Sequence, residues 1–215
     1  MGVAFIVKRT SVVPSILFET QVATDINDGW VDLYNNIFYT AVGAQLKAGY
    51  AYGGSAGAPS SQYKYNAWFL FTNVQIPQGS DMLVCNLKLI HGGSTNRANS
   101  PLSVYIVDEL NPSTVTSVSD YISRPTIFGS SWTWTGAYGS YVSMIQDNNM
   151  ASALETIVQD PSWVIGNNIL MMLKDEYVYS GGLYEATSRS YFDKHAVESG
   201  YPDGLQATLQ FQYAL

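Results

Sequence analysis

The sequence predicts an all-β fold, and three observations predict it. From Leu205 to Tyr213 the apolar Leu205, Ala207, Leu209, Phe211 and Tyr213 alternate without exception with Gln206, Thr208, Gln210 and Gln212. Side chains on a strand point to opposite faces with period two, so this segment is expected to bury one face and wet the other. Second, the chain carries 16 Tyr, 8 Phe and 5 Trp, a composition suited to sheet faces and wide contact surfaces. Third, 47% of the residues are hydrophobic and only 13% charged, against a globular norm of roughly 25% charged. That balance argues against disorder, because there is ample apolar surface to bury. A length of 215 residues fits one large β domain, or one domain with an added arm.

Composition also removes function classes. The formal net charge is −7 and no basic stripe is present to neutralise phosphates, so nucleic acid is not an expected partner. Cys85 is the sole cysteine and cannot form an internal disulfide; in a strand it reads as a small buried hydrophobe. At the N-terminus the apolar run Val3-Ala4-Phe5-Ile6-Val7 precedes Lys8 and Arg9, the reverse of a secretory signal and shorter than one. No apolar run approaches the roughly 20 residues of a membrane span. These features lead us to expect a soluble protein made in the cytosol. Val3, Phe5 and Val7 stand at strand spacing, which marks residues 1–22 as an arm or attachment segment before a domain at 23–215. Packing on its own domain and packing on a neighbouring subunit both remain open for that arm.

Taken in order, Ser15–Val22 and Trp30–Tyr39 read as strands around the turn Asp25-Ile26-Asn27-Asp28-Gly29. With Asp32 beyond it, this turn offers oxygen ligands of the kind calcium takes. Its glycine stands one residue off the EF-hand spacing and the closing Glu is missing. The reading adopted is an Asp/Asn/Gly turn, and no metal is assigned. Gly53–Ser61 is a loop that contains Gly53-Gly54-Ser55-Ala56-Gly57, a literal G-x-S-x-G. The hydrolase motif needs a tight strand-to-helix turn; here small residues and Pro59 follow without helical periodicity, and nothing ties His195 to Ser55.

Tyr65–Gln75 is a long aromatic strand, the turn Ile76-Pro77-Gln78-Gly79-Ser80 follows, and Met82–Ile90 returns. Leu83, Cys85, Leu87 and Leu89 are expected on its buried face, with Asn86 and Lys88 opposite. His91 ends that strand at a Gly-Gly turn and reads as a solvated edge histidine. Leu102, Val104 and Ile106 alternate in a further strand. Residues 111–140 read as irregular, and Trp132, Trp134, Tyr138 and Tyr141 gather there. Such aromatics can stack on sugar rings or anchor a protein interface; Trp132 and Trp134, two apart, can equally be packed strand residues. Asp147–Gln159 is the one helix expected. Asp147 or Asn148 caps it, Met150, Leu154, Ile157 and Val158 form one stripe, and Pro161 stops it. The buried run Ile169–Leu173, a strand at Thr187–Asp193 and the turn Tyr201-Pro202-Asp203-Gly204 lead into the final strand.

The order of these features carries a resemblance. Phe71 and Ile76-Pro77-Gln78-Gly79 precede the strand Leu83–Leu89. A Trp-containing loop and the helix ending Ile157-Val158-Gln159-Asp160-Pro161-Ser162-Trp163 come next. After Gly166-Asn167-Asn168 and an apolar strand come Ser188-Arg189-Ser190-Tyr191-Phe192 and then Leu205-x-x-x-Leu209-x-Phe211-x-Tyr213. Residues 65–213 thereby resemble the carbohydrate-binding-module-like jelly-roll domains (DNRLRE type) of bacteriophage virion and bacterial surface proteins. The resemblance implies a two-sheet antiparallel sandwich of jelly-roll type with one short helix, presenting loops and doing no chemistry. It brings no conserved ligand site with it. Residues 1–60 match it less well.

Two non-enzymatic functions follow as expectations, and no motif asks for a cofactor. The first is a phage virion structural protein, a capsid decoration or tail-associated component located in the particle. It would contact other virion proteins and itself, most plausibly as a homotrimer. The second is a carbohydrate-binding adhesin for host glycans, with Trp132, Trp134, Tyr138 and Tyr141 as platforms. A glycosidase carboxylate pair would meet only in space and leaves no trace in sequence.

Overall fold

The computed structural model describes residues 17–40, 46–53, 61–90, 100–134, 142–176, 189–191 and 206–215. In chain order they form β1 (Phe18–Gln21), β2 (Asp28–Asp32), β3 (Ile37–Thr40), β4 (Leu46–Gly53), β5 (Ser61–Phe71) and β6 (Asp81–Ile90). Then come β7 (Ser100–Val107), helix α1 (Val118–Ser123), β8 (Thr126–Trp134), β9 (Val142–Gln146), helix α2 (Asn148–Val158), β10 (Ile169–Asp175), β11 (Arg189–Tyr191) and β12 (Thr208–Ala214). The strands build two antiparallel sheets packed as a sandwich. The smaller has the order β1-β12-β6-β9; the larger has β11-β4-β5-β10-β7-β8, with the β2–β3 hairpin joined to β5. The chain crosses between sheets from β1 to β2, β5 to β6, β6 to β7, β8 to β9, β9 to β10 and β11 to β12.

The expected strand faces meet in one core. Phe69 and Phe71 of β5, Val104 and Ile106 of β7, and Met171 and Leu173 of β10 face Cys85, Leu87, Leu209 and Phe211 of the small sheet. Helix α2 closes the core with Met150, Leu154, Ile157 and Val158, the stripe read from the sequence. The Asp147 carboxylate caps it by accepting from the Asn149 amide at 2.9 Å, and the buried Trp163 indole donates to the Ile76 carbonyl at 2.8 Å. Burial pushes the Cys85 thiol up to about 12, so it stays a neutral apolar group. The runs Ala67–Phe71 and Ile169–Leu173 do not alternate because both faces of the large sheet are covered. On the far face Trp68, Leu70, Leu170 and Met172 pack with Val115, and with Val118 and Tyr121 of α1.

Several expectations are corrected. Trp30–Tyr39 is not one strand but a hairpin, β2 pairing β3 with Trp30 opposite Tyr39. The Asp32 carboxylate makes its turn, accepting from the amides of Tyr34 (3.1 Å), Asn35 (3.4 Å) and Lys64 (3.2 Å), and Asn36 takes a φ of 52°. The acidic stretch before it folds as a 3-10 turn at Asp25–Asn27. Within 111–140, α1 and β8 are regular; α1 starts at a Ser117 cap that accepts from the Asp120 amide. Leu83 is not in the core. The pairing of β6 with β12 slips between Gln212 and Tyr213, which stand opposite Val84 and Met82. The extra residue reverses the facing order, so Met82 turns inward and Leu83 is left 48% exposed.

The polar face of the last strand is also not wet. Thr208 and Gln210 are 1% and 6% exposed. Gln210 donates to the Glu19 carboxylate, and its own carbonyl accepts from the Asn86 amide at 3.5 Å. The Gln21 amide donates to Thr208 at 3.3 Å. An amide ladder thus replaces water across β1, β12 and β6. Phe18–Gln21, within the segment read as an arm, pairs with β12 as an edge strand of the small sheet. Val3, Phe5 and Val7 lie outside the described residues.

Candidate functional site

Of the four aromatics nominated from the sequence, two fall on a described strand and two outside the described residues. Trp132 and Trp134 belong to β8, where they stand opposite Leu102 and Ser100. Tyr138 and Tyr141 lie outside the described residues, as do Ser55, His91 and His195.

The structure brings a different aromatic set together. On the core face of the large sheet one cross-strand row runs Val104, Leu173, Ala67, Trp30, Tyr39. Its first three members are buried, while Trp30 and Tyr39, toward the β3 edge, are half-buried. The Tyr39 ring stacks on Trp30 at 3.8 Å between centroids, and Tyr65 meets Trp30 edge-on at 5.1 Å. The half-buried Tyr63 stacks on Tyr65 at 5.5 Å. From β4, the Lys47 ammonium stands 5.1 Å from the centre of the Trp30 ring and 5.3 Å from that of Tyr65, a doubly cation–π contact. Burial first, then the nearby Asp32 carboxylate, push the Tyr65 phenol up, so it remains a neutral donor.

Together these residues make a shelf of four rings holding one cation, with Tyr39 and Tyr63 as its outer members. The sequence held one signal of it, Tyr63 and Tyr65 two apart on one strand. The contact of Tyr39 with Trp30 needed the hairpin turn to be seen.

A second feature lies on the small sheet. The register places Leu17 beside Gln212 and Gln212 opposite Val84. With Leu83, Asn86, Ala151 and the α2 cap Asp147, these residues line a groove of about 640 Å³. Leu17 is 52% exposed and Leu83 48%, so the groove offers apolar surface of the sort that subunit contacts cover.

A buried acid lies at the end of β10. Asp175 is 3% exposed, and its backbone amide donates to the Asn66 side chain at 2.8 Å. Burial pushes its carboxyl up to about 7; Lys64 opposes the shift and Glu176 adds to it. An unfolded Asp titrates near 3.9. The native state therefore holds the extra proton between those values, and stability falls as pH rises from about 4 to about 7. Asp175→Asn is expected to flatten that fall and to leave the variant more stable at pH 8, by on the order of 2 kcal/mol after allowance for solvent screening. Urea unfolding from pH 4 to pH 8 measures it, and parallel curves for the two proteins would refute it.

Neither a protein-family model nor a curated protein matches this chain.

Proposed function

We propose that the chain is a non-enzymatic structural protein of a bacteriophage virion, a capsid decoration or tail-associated component that assembles as an oligomer, with the trimer as the state to test. The observation that carries the assembly reading is the groove beside the β6 bulge, where Leu83 is turned outward next to Leu17. The β-bulge that turns Met82 inward leaves Leu83 aimed at solvent beside Leu17, apolar surface that suits a partner. The low charge of the whole chain supports the same reading, since little charge would have to be desolvated in a contact. The placement in a phage particle rests on the resemblance of residues 65–213 to the jelly-roll domains of such proteins.

The full chain is expected to sediment as a trimer at micromolar concentration, and Leu83→Glu to raise its dissociation constant by about tenfold or more, equivalent to about 1.4 kcal/mol. A wild-type protein that stays monomeric at every concentration reached would refute the assembly reading.

A second reading is favoured by the aromatic shelf: the same module binds glycans. Four rings on one sheet face, two of them half-exposed tyrosines, suit the apolar face of a sugar ring. An array of host-surface glycans probes this, and a blank array counts against it.

A further inference from the structure

We infer that the shelf selects acidic saccharides, with the carboxylate of the sugar meeting Lys47 while its ring packs against Tyr39 or Tyr63. This rests on the glycan reading and goes beyond it by naming the ligand class. Lys47 is half-buried, and its described contacts are the faces of Trp30 and Tyr65. Among the described residues the ion pairs belong to Arg124, and none involves Lys47. A ring face attracts an ammonium through its quadrupole but takes up none of its N–H donors. The cation is thereby held in place by two rings with hydrogen-bonding capacity left for an anion.

The neighbouring groups decide the sign of the preference. The carboxylate facing the shelf is that of Asp32, and it is engaged by the amides of Tyr34, Asn35 and Lys64 and by the Asn35 side chain at 2.6 Å. An anion arriving at Lys47 meets a carboxylate whose oxygens are already turned toward those donors. Tyr63 and Tyr39, stacked on the two rings that hold the cation, supply phenol hydroxyls that both donate and accept, which is what a sugar's hydroxyl rim asks for. A neutral sugar uses the rings and these hydroxyls. An acidic sugar adds a charge-assisted hydrogen bond, which is about twice as strong as a neutral one.

The test compares pairs of ligands that differ only in charge. The full chain is titrated with tetragalacturonate and with its methyl ester, followed by tryptophan fluorescence and calorimetry. The acid is expected to bind at least about tenfold more tightly than the ester. Lys47→Gln should erase that ratio, Lys47→Arg should keep it, and Tyr39→Ala should weaken both ligands alike. Equal binding of acid and ester, or a ratio untouched by Lys47→Gln, overturns the acid preference and leaves the glycan reading standing. Binding of neither ligand, together with a blank glycan array, overturns both.

Discussion

Gly29→Ala is expected to destabilise the protein by about 3 kcal/mol or more, although it adds a single methyl group. Gly29 lies in β2 between Thr40 of β3 and Trp68 of β5. A Cβ at this position would stand 2.4 Å from the Tyr39 carbonyl oxygen and 2.7 Å from the Trp68 ring. Neither neighbour can yield cheaply. The carbonyl belongs to the backbone of β3, and the Trp68 side chain is fully buried, with Phe38 stacked in parallel 6.4 Å away. The methyl would have to push β3 off β2 or drive Trp68 into Leu170 and Met172. Both routes open the second core, and the first also separates Tyr39 from Trp30. Equilibrium urea unfolding reads the loss. Combining the change with Trp68→Leu should cost less than the sum of the two single changes, because the clash with the ring is then relieved while that with the Tyr39 carbonyl remains. A Gly29→Ala protein within 1 kcal/mol of wild type would show that the ring and the hairpin are looser than described.

The same hairpin shows where sequence reading stops. Strands β6 and β12 and helix α2 are legible because each carries its periodicity within itself, and β5 and β10 because each is a continuous apolar run bounded by turn residues. The β2–β3 turn has neither glycine nor proline. It is made by the Asp32 side chain reaching three backbone amides, one of them in β5, and no local pattern announces that. Helix α1 leaves no sequence signal for a related reason: at six residues it is too short to show a stripe, and tertiary contacts sustain it. The outward turn of Leu83 is equally hidden, because a bulge depends on the partner strand. The shelf had the same obscurity, since Trp30, Tyr39, Tyr65 and Lys47 come from four strands and meet only through register.

Helix α1 owes its place to one side chain, and Arg124→Ala is expected to cost about 2–3 kcal/mol. An isolated helix of this length does not hold in water, yet α1 covers Trp68, Leu70 and Met172 with Val118 and Tyr121. Arg124 ties it down. Its guanidinium donates to both Asp120 oxygens at 2.9 and 3.1 Å, to Glu109 at 3.0 Å and to the Thr114 carbonyl at 3.2 Å. The arginine side chain is only 7% exposed, whereas the Asp120 and Glu109 side chains are 25% and 34% exposed. Removing a buried charge that holds two acids together costs 3–5 kcal/mol when all members are buried, and less when the acids can rehydrate. Arg124→Lys should recover under half of the loss, because an ammonium cannot bridge two carboxylates and a carbonyl in one plane. Acid adds a second signature. The Arg124 hydrogen bond holds the Asp120 carboxyl below its ordinary value, so this contribution is intact above the unfolded pKa near 3.9. It disappears as pH falls through the lowered native value. Arg124→Ala should therefore lose the part of wild-type acid sensitivity that lies below pH 4. Amide exchange would report faster opening at Tyr121 and Ile122 while the exchange of β10 stays slow. If those α1 amides exchange at the wild-type rate in Arg124→Ala, the helix is held by its apolar contacts and not by the arginine.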